Sequence, residues 1–258
     1  MDPSNSYCAV VNTHQSYHDV LNIFLKSYFY FLKEIPLFVF TSKSDKNFKE
    51  KGFEIFQYSD GTFRDQYLEC LDKVPFEYVL TFNDDYFLNG YPDLKEMNRC
   101  FEVLSNQPYS QIRFVRGPNF GNPTEFPKLY ELDLSQPYFF SQTLALWKKE
   151  DLIRVYEKTP PSGIARKRKE LQAEVLSNQA CIELGLKGLI YFDDEEKVGS
   201  AHYECKIIPH IVSAVVDGFW NIKEYETELN DLSNLLSFEL SIERLQATNK
   251  PQRWWWPL

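Results

Sequence analysis

The chain has 258 residues, of which 37 are Asp or Glu and 28 are Lys or Arg, giving a net charge of −9 at pH 7; this balance excludes loose attachment to nucleic acid or anionic lipid, which needs clustered Lys and Arg. Apolar side chains make up 43% of the sequence and aromatic ones 16%, which excludes a disordered chain and suffices for one globular domain or two small ones. Its 5 Cys are scattered without a CxxC pair, so they read as reduced, buried thiols rather than a disulfide framework or a zinc site.

Taken in chain order, residues 7–12 form a short apolar run that predicts a buried strand delivering the polar Asn12, Thr13 and His14. Leu21, Phe24, Leu25, Tyr28 and Leu32 then recur at helical spacing, predicting a helix over 17–33. Residues 37–40 and 53–58 read as the second and third strands, and 64–74 as a helix. The run 77–82 is the next strand, and it ends in Asn83, Asp84 and Asp85. Strand and helix alternate throughout, which predicts a parallel sheet covered by helices, with the ligand crevice beyond the carboxyl ends of the strands. Asn12 to His14, Ser59 to Gly61 and Asn83 to Asp85 each follow a strand, so they are expected at one edge.

Past Asp93 the pattern is mixed. A helix to about Ser105, a strand at 111–115 and a Gly, Pro and Asn-rich loop from Gly117 to Pro127 lead into the mostly apolar run YFFSQTLALW at 138–147. Helices are expected over 149–158 and 165–184, a strand at 188–192, an extended stretch at 207–216, and a closing helix over 223–246. The expected organisation is a single domain over 1–258: a nucleotide-binding half over about 1–92, an acceptor half over about 93–222, and a C-terminal helix and tail over about 223–258. No signal-peptide pattern stands at the start, and no apolar run nears the ~20 residues of a membrane span, so a cytoplasmic protein is expected.

Asn83-Asp84-Asp85 is the most informative cluster. Adjacent carboxylates at the end of a buried strand repel, and a divalent cation relieves the repulsion; Mg²⁺ or Mn²⁺ suits carboxylate oxygens and also holds a diphosphate. The competing reading is a solvated turn, where Asn and Asp are common for backbone reasons.

With these residues, the segments VVNTHQSYHDVL, SDGTFRDQYLECL, FEYVLTFNDDYFL and YFFSQTLALWKKEDL resemble nucleotide-sugar glycosyltransferases of the GT-A fold, in particular those of surface glycan assembly such as O-antigen, capsule or viral glycan enzymes. The resemblance spans about 7–221 and implies an α/β, Rossmann-like central sheet, mostly parallel and flanked by helices, with a mixed C-terminal acceptor half. It implies Asp85 as the metal ligand, with Asp84 and Asn83 toward the ribose or a second metal position, although Asn83 stands where a strict DxD has its first Asp. Thr13 matches the position that meets the nucleotide, with His14 beside it and Tyr17 flanking the base. Arg64 and Asp65 match a polar pair near the diphosphate, Arg64 reading equally well as a surface helix charge. The general base is expected from Glu174 or Glu170, four apart on one helix face, where pairing with Arg166 and Lys167 is the plainer alternative. His202 or His210 would complete a metal site by resemblance, or serve structurally, and Asp217 to Trp220 would shape the acceptor side.

The implied ligands are Mn²⁺ or Mg²⁺, a nucleotide-sugar donor with a UDP-sugar first, and an oligosaccharide or glycolipid acceptor. The tail Trp254, Trp255 and Trp256 reads as docking back on the domain, as a homodimer contact, or as a peripheral membrane contact. The rival functions are a nucleotidyltransferase, against which the loop after residue 12 lacks a Gly-rich, basic triphosphate grip, and a non-catalytic carbohydrate-binding protein on the same fold.

Overall fold

Short apolar runs alternating with amphipathic stretches build a nine-stranded sheet with helices on both faces. The structure, a computed structural model, describes residues 6–43, 52–117, 121–161, 169–194, 196–198 and 202–245. In its first part β1 (Cys8–Thr13), α1 (His18–Phe31), β2 (Leu37–Thr41), β3 (Phe53–Gln57), α2 (Phe63–Leu71) and β4 (Tyr78–Asn83) follow in the expected order. β1 lies between β2 and β4 and is parallel to both, with β3 parallel to β2. The carboxyl ends of these four strands therefore share one edge.

The chain continues through β5 (Phe87–Leu88), α3 (Leu94–Asn106), β6 (Gln111–Arg113), β7 (Asn122–Pro123), β8 (Leu129–Glu131), β9 (Ala145–Lys148), α4 (Lys149–Lys158), α5 (Lys169–Leu184) and β10 (Gly188–Tyr191). Sheet order is β3-β2-β1-β4-β9-β6-β10-β8-β7. β9 is antiparallel to both β4 and β6, β6 and β10 are parallel, and β8 is antiparallel to β10 and β7. Only β9 and β8 run against the rest, so the expected class stands: a mostly parallel sheet whose second half is mixed. The last part comprises β11 (Lys197–Val198), β12 (His202–Tyr203), β13 (His210–Ile211), β14 (Val215–Val216), β15 (Phe219–Trp220), α6 (Ile222–Leu236) and a 3₁₀ turn at Ile242–Arg244.

Strand periodicity divides the core. Ala9 and Val11 face a cluster that includes Leu21, Phe24 and Tyr28 of α1, while Cys8 and Val10 face one that includes Tyr67 and Tyr156. Each fully buried Leu or Phe contributes about 1.5–3 kcal/mol. The five Cys are all buried and no disulfide joins them, as expected. No helix among the described residues is long and apolar enough to cross a membrane.

Several boundaries differ from the sequence reading. The run 138–147 is strand only from Ala145, because side chains rather than a neighbouring strand satisfy its first part: Gln111 Nε2 donates to Phe139 O at 2.7 Å, and Asn178 Oδ1 accepts from Phe140 N at 3.0 Å. The closing helix stops at Leu236 instead of near 246, since Ser237 takes a left-handed φ of 53° and Phe238 N turns back to Ser233 O at 3.2 Å. In the loop beyond Gly117, Gly121 has φ of 74°, and a Cβ there would sit 1.8 Å from Glu131 O, so only glycine fits. Part of that loop (118–120), the basic segment 165–168 and the tail from 246 onward lie outside the described residues.

Candidate functional site

Register creates the first contact. Asn12 pairs with Asn83 across β1 and β4, so the residues that follow them leave the sheet side by side. Thr13 Oγ1 donates to Asp84 Oδ2 at 2.6 Å, and Tyr58 OH donates to Thr13 O at 2.7 Å. Burial pushes the Tyr58 phenol up to about 12; burial and then the Asp84 charge raise Tyr67 as well. Both phenols therefore stay protonated at neutral pH next to the carboxylate.

Asp85 has different partners. Its Oδ2 accepts from Val215 N at 3.4 Å, and its carbonyl accepts from Ala214 N at 3.1 Å. β5 just beyond it pairs with β13, where His210 stacks on Tyr86 at 5.1 Å and contacts Ile208 O through Nδ1 at 2.6 Å. Burial, followed by the charges of Asp85 and Glu174, raises the Tyr86 phenol well above its ordinary value. The two adjacent carboxylates thus serve two directions, Asp84 toward β1 and Asp85 toward the segment before β14.

The segment 140–143 supplies the opposite wall, and α5 holds it from behind. Glu174 of α5 accepts from Gln142 N at 2.7 Å and Ser141 Oγ at 3.1 Å, and Asn178, one turn later, accepts from Phe140 N. This gripped segment lines a hollow shared with Asn83, Tyr67, Tyr156 and Thr143. Among the described residues, Gln142 Nε2 and Thr143 Oγ1 are buried there with no hydrogen-bond partner, as is Asn12 Oδ1 near the end of β1. An unsatisfied buried polar group costs roughly 1–3 kcal/mol, and such atoms mark where a water or ligand group belongs. Arg113, only 1% exposed, donates to Tyr138 O; burial lowers it to about 10, with the Glu174 charge opposing.

The other sequence candidates are placed as follows. His14 is exposed and caps the 3₁₀ turn Gln15–Tyr17, with Nδ1 at 2.8 Å from Ser16 Oγ. Tyr17 lies under the Arg244 guanidinium, 4.4 Å from its ring centre. Asp65 closes a capping box with Thr62 at the start of α2. Arg64 donates to the carbonyls of Tyr156 (2.6 Å) and Glu157 (3.2 Å) at the end of α4, and meets Asp65 at 3.5 Å. Glu170 is on the first turn of α5, and its side chain, like that of His202, lies outside the described residues. Asp217 and Gly218 form the left-handed turn between β14 and β15.

Among the described residues, no three His, Cys, Asp or Glu side chains converge as a ready metal cage. Sequence reasoning missed Gln142, Thr143, Tyr58, Tyr67 and Arg244. For the first two a signal existed: they are polar residues inside an otherwise apolar run.

No protein-family model matches the chain, and no curated protein does. Among solved structures it is similar to S. aureus TarS 1–349, at 13% identity and a TM-score of 0.49 over 90% of this chain and 64% of that one. The same fragment in complex with UDP-GlcNAc gives 15% identity and a TM-score of 0.45, with 77% and 57% covered. The 4-diphosphocytidyl-2C-methyl-D-erythritol synthase from Anaerococcus prevotii gives 16% identity and a TM-score of 0.45, with 90% and 96% covered. The chain spans under two thirds of the TarS structures. Likeness at this level carries over neither ligand nor reaction.

Proposed function

We propose that this chain is a cytoplasmic glycosyltransferase, moving a sugar from a nucleoside-diphosphate donor, a UDP-sugar first among them, to a hydroxyl of an oligosaccharide or glycolipid in glycan assembly. The supporting observation is the hollow at the sheet edge: Asn83 lines it on one side, next to the Thr13–Asp84 bond, and on the other side lies the segment that Glu174 holds through Ser141 and Gln142. In this reading Thr13, His14 and Tyr17 meet the nucleotide, Asn83 and Asp84 the ribose, and Arg64 and Asp65 border the diphosphate. Asp85, with Asp84, would hold Mn²⁺ or Mg²⁺, whose charge stabilises a departing diphosphate.

Glu174 is the general base. Its carboxylate takes the acceptor hydroxyl proton as the acceptor oxygen bonds to the anomeric carbon; the bond from that carbon to the diphosphate oxygen breaks, and the nucleoside diphosphate leaves. Such a single displacement inverts the anomeric centre. The hydrogen bonds from Ser141 and Gln142 fix the orientation of the carboxylate. The unsatisfied Gln142 Nε2 and Thr143 Oγ1 line a water-sized hollow of about 10 Å³, and in this reading a polar group of the sugar takes the place of a water there.

The test is thermal unfolding with UDP, GDP, CDP and dTDP, each with and without Mn²⁺. A ligand at 100 times its Kd adds about 2.7 kcal/mol to stability, so one nucleotide should raise the midpoint, and do so with metal. No response to any of them would sink the proposal. Incubation with NDP-sugars, and separately with NTP plus sugar phosphate, then separates glycosyl from nucleotidyl transfer.

A further inference from the structure

The connection between β1 and α1 carries the residues assigned to the nucleotide; in it Tyr17 packs against the edge of the core and Gln15 N donates to Ser42 Oγ at 3.1 Å. His14, Gln15 and Ser16 are exposed, and no residue of the 3₁₀ turn Gln15–Tyr17 is buried. The most extensive grip on this connection comes from the far end of the described chain. Arg244 sends Nε to Asp19 Oδ2 at 2.7 Å and Nη2 to Asp19 Oδ1 at 2.8 Å, a fork on the first turn of α1. The same Nη2 reaches Ser16 O at 2.8 Å, and Nη1 reaches Gly218 O at 3.0 Å. Its guanidinium also lies 4.4 Å over the Tyr17 ring. Ser241 Oγ adds a bond to Asp19 at 2.9 Å, and Trp220 Nε1 anchors Ser241 O at 3.1 Å. The Arg244 side chain is 12% exposed. One side chain thus joins three segments distant in sequence.

We infer that Arg244 is a positioning residue for the nucleotide loop: it fixes Ser16, Tyr17 and Asp19 so that the loop meets the nucleotide already ordered. The inference rests on the glycosyltransferase reading for what the loop binds, but not for the clasp itself. Only a guanidinium can supply the bidentate fork, two further donors and the stacked face together; a lysine ammonium keeps the charge and loses the plane. Ordering a loop before binding removes that cost from the affinity.

The test compares wild type with R244A, R244K and D19N, reading backbone amide exchange, UDP affinity by calorimetry with Mn²⁺, and thermal midpoint. In R244A, exchange at residues 15–19 should rise while β1, β2 and β4 stay protected, and UDP should bind roughly tenfold more weakly, equivalent to about 1.4 kcal/mol. R244K should recover little of either, and D19N should fall between. Exchange at 15–19 equal to wild type, or a rise spread over the whole sheet, would overturn the clasp. Local loosening with unchanged UDP affinity would overturn its role in binding. If wild type binds no nucleoside diphosphate, the glycosyltransferase reading fails separately, and amide exchange alone then decides for or against the clasp. R244K covers the case in which R244A does not fold.

Discussion

At the ends of β1 and β4, Asp84 and Asp85 each accept a hydrogen bond from a neighbouring element, Thr13 and Val215 respectively. Across the hollow, the segment leading into β9 buries Gln142 Nε2 and Thr143 Oγ1 without partners, even though Glu174 and Asn178 grip its backbone. Apart from Asn12 Oδ1, the first wall is satisfied by the protein, whereas the second is rigid in its main chain and incomplete in its side chains. Parallel neighbours explain the first case, because in-register strands deliver successive polar residues next to one another. An irregular segment held by a helix explains the second, since side-chain acceptors satisfied its amides and left its own side chains pointing at a space. A wall of the first kind is complete within the protein; one of the second kind leaves polar atoms for a water or a ligand group to complete.

The sharpest way to break this contrast is Glu174→Gln. It keeps an acceptor for Gln142 N and removes the base, so turnover should fall about 10²–10⁴-fold with UDP affinity unchanged, read by steady-state kinetics and calorimetry. Equal loss of affinity would move Glu174 to the nucleotide wall. Next in size, Asp85→Ala should abolish most turnover and weaken Mn²⁺-dependent UDP binding while the fold persists by circular dichroism; full activity would remove Asp85 from the metal assignment. Gln142→Leu tests the second wall: deleting an unsatisfied buried amide should stabilise the protein by about 1 kcal/mol in urea unfolding while lowering activity. A destabilised Gln142→Leu would mean that the amide is already satisfied.

The smallest effect concerns pH. Burial pushes the Asp19 carboxyl up, but hydrogen bonds from Arg244 and Ser241 outweigh it and hold the group below its ordinary value. A carboxyl depressed in the folded state contributes stability above its unfolded pKa, near 3.9, and loses it as pH falls through the folded value. The midpoint difference between wild type and R244A should therefore persist at pH 6 and shrink below about pH 4.

Much of the first wall was legible in the sequence. Apolar runs ending in polar clusters locate the strands, and a parallel sheet forces their ends to one edge, so the sequence alone brings Asn12 to His14 and Asn83 to Asp85 to the same edge, though not Thr13 onto Asp84. The capping box of Thr62 and Asp65 is also legible, as a Thr followed three residues later by an acid at a helix start. The second wall was hardly legible. Whether 138–144 is strand depends on Gln111, Asn178 and Glu174, which lie up to about 40 residues away in sequence, and no local periodicity carries that information. Arg244 escaped for the same reason: its partners lie 26 to 228 residues away.

β9 has a further consequence, for the order of assembly. It sits between β4 and β6 and is antiparallel to both, so it alone joins the two halves of the sheet, and it is the last of the three in sequence. As the chain emerges from a ribosome, the strands from β1 to β6 are available before residue 145, leaving β4 and β6 with unpaired edges that await the same insert. Such edges are templates for wrong partners, and long-range closure of this kind is slow. Between residues 113 and 148 both of these edges stand open; β9 closes them at the step that brings Gln142 and Thr143 to the edge of the sheet, and β6 keeps its other edge open until β10 is made.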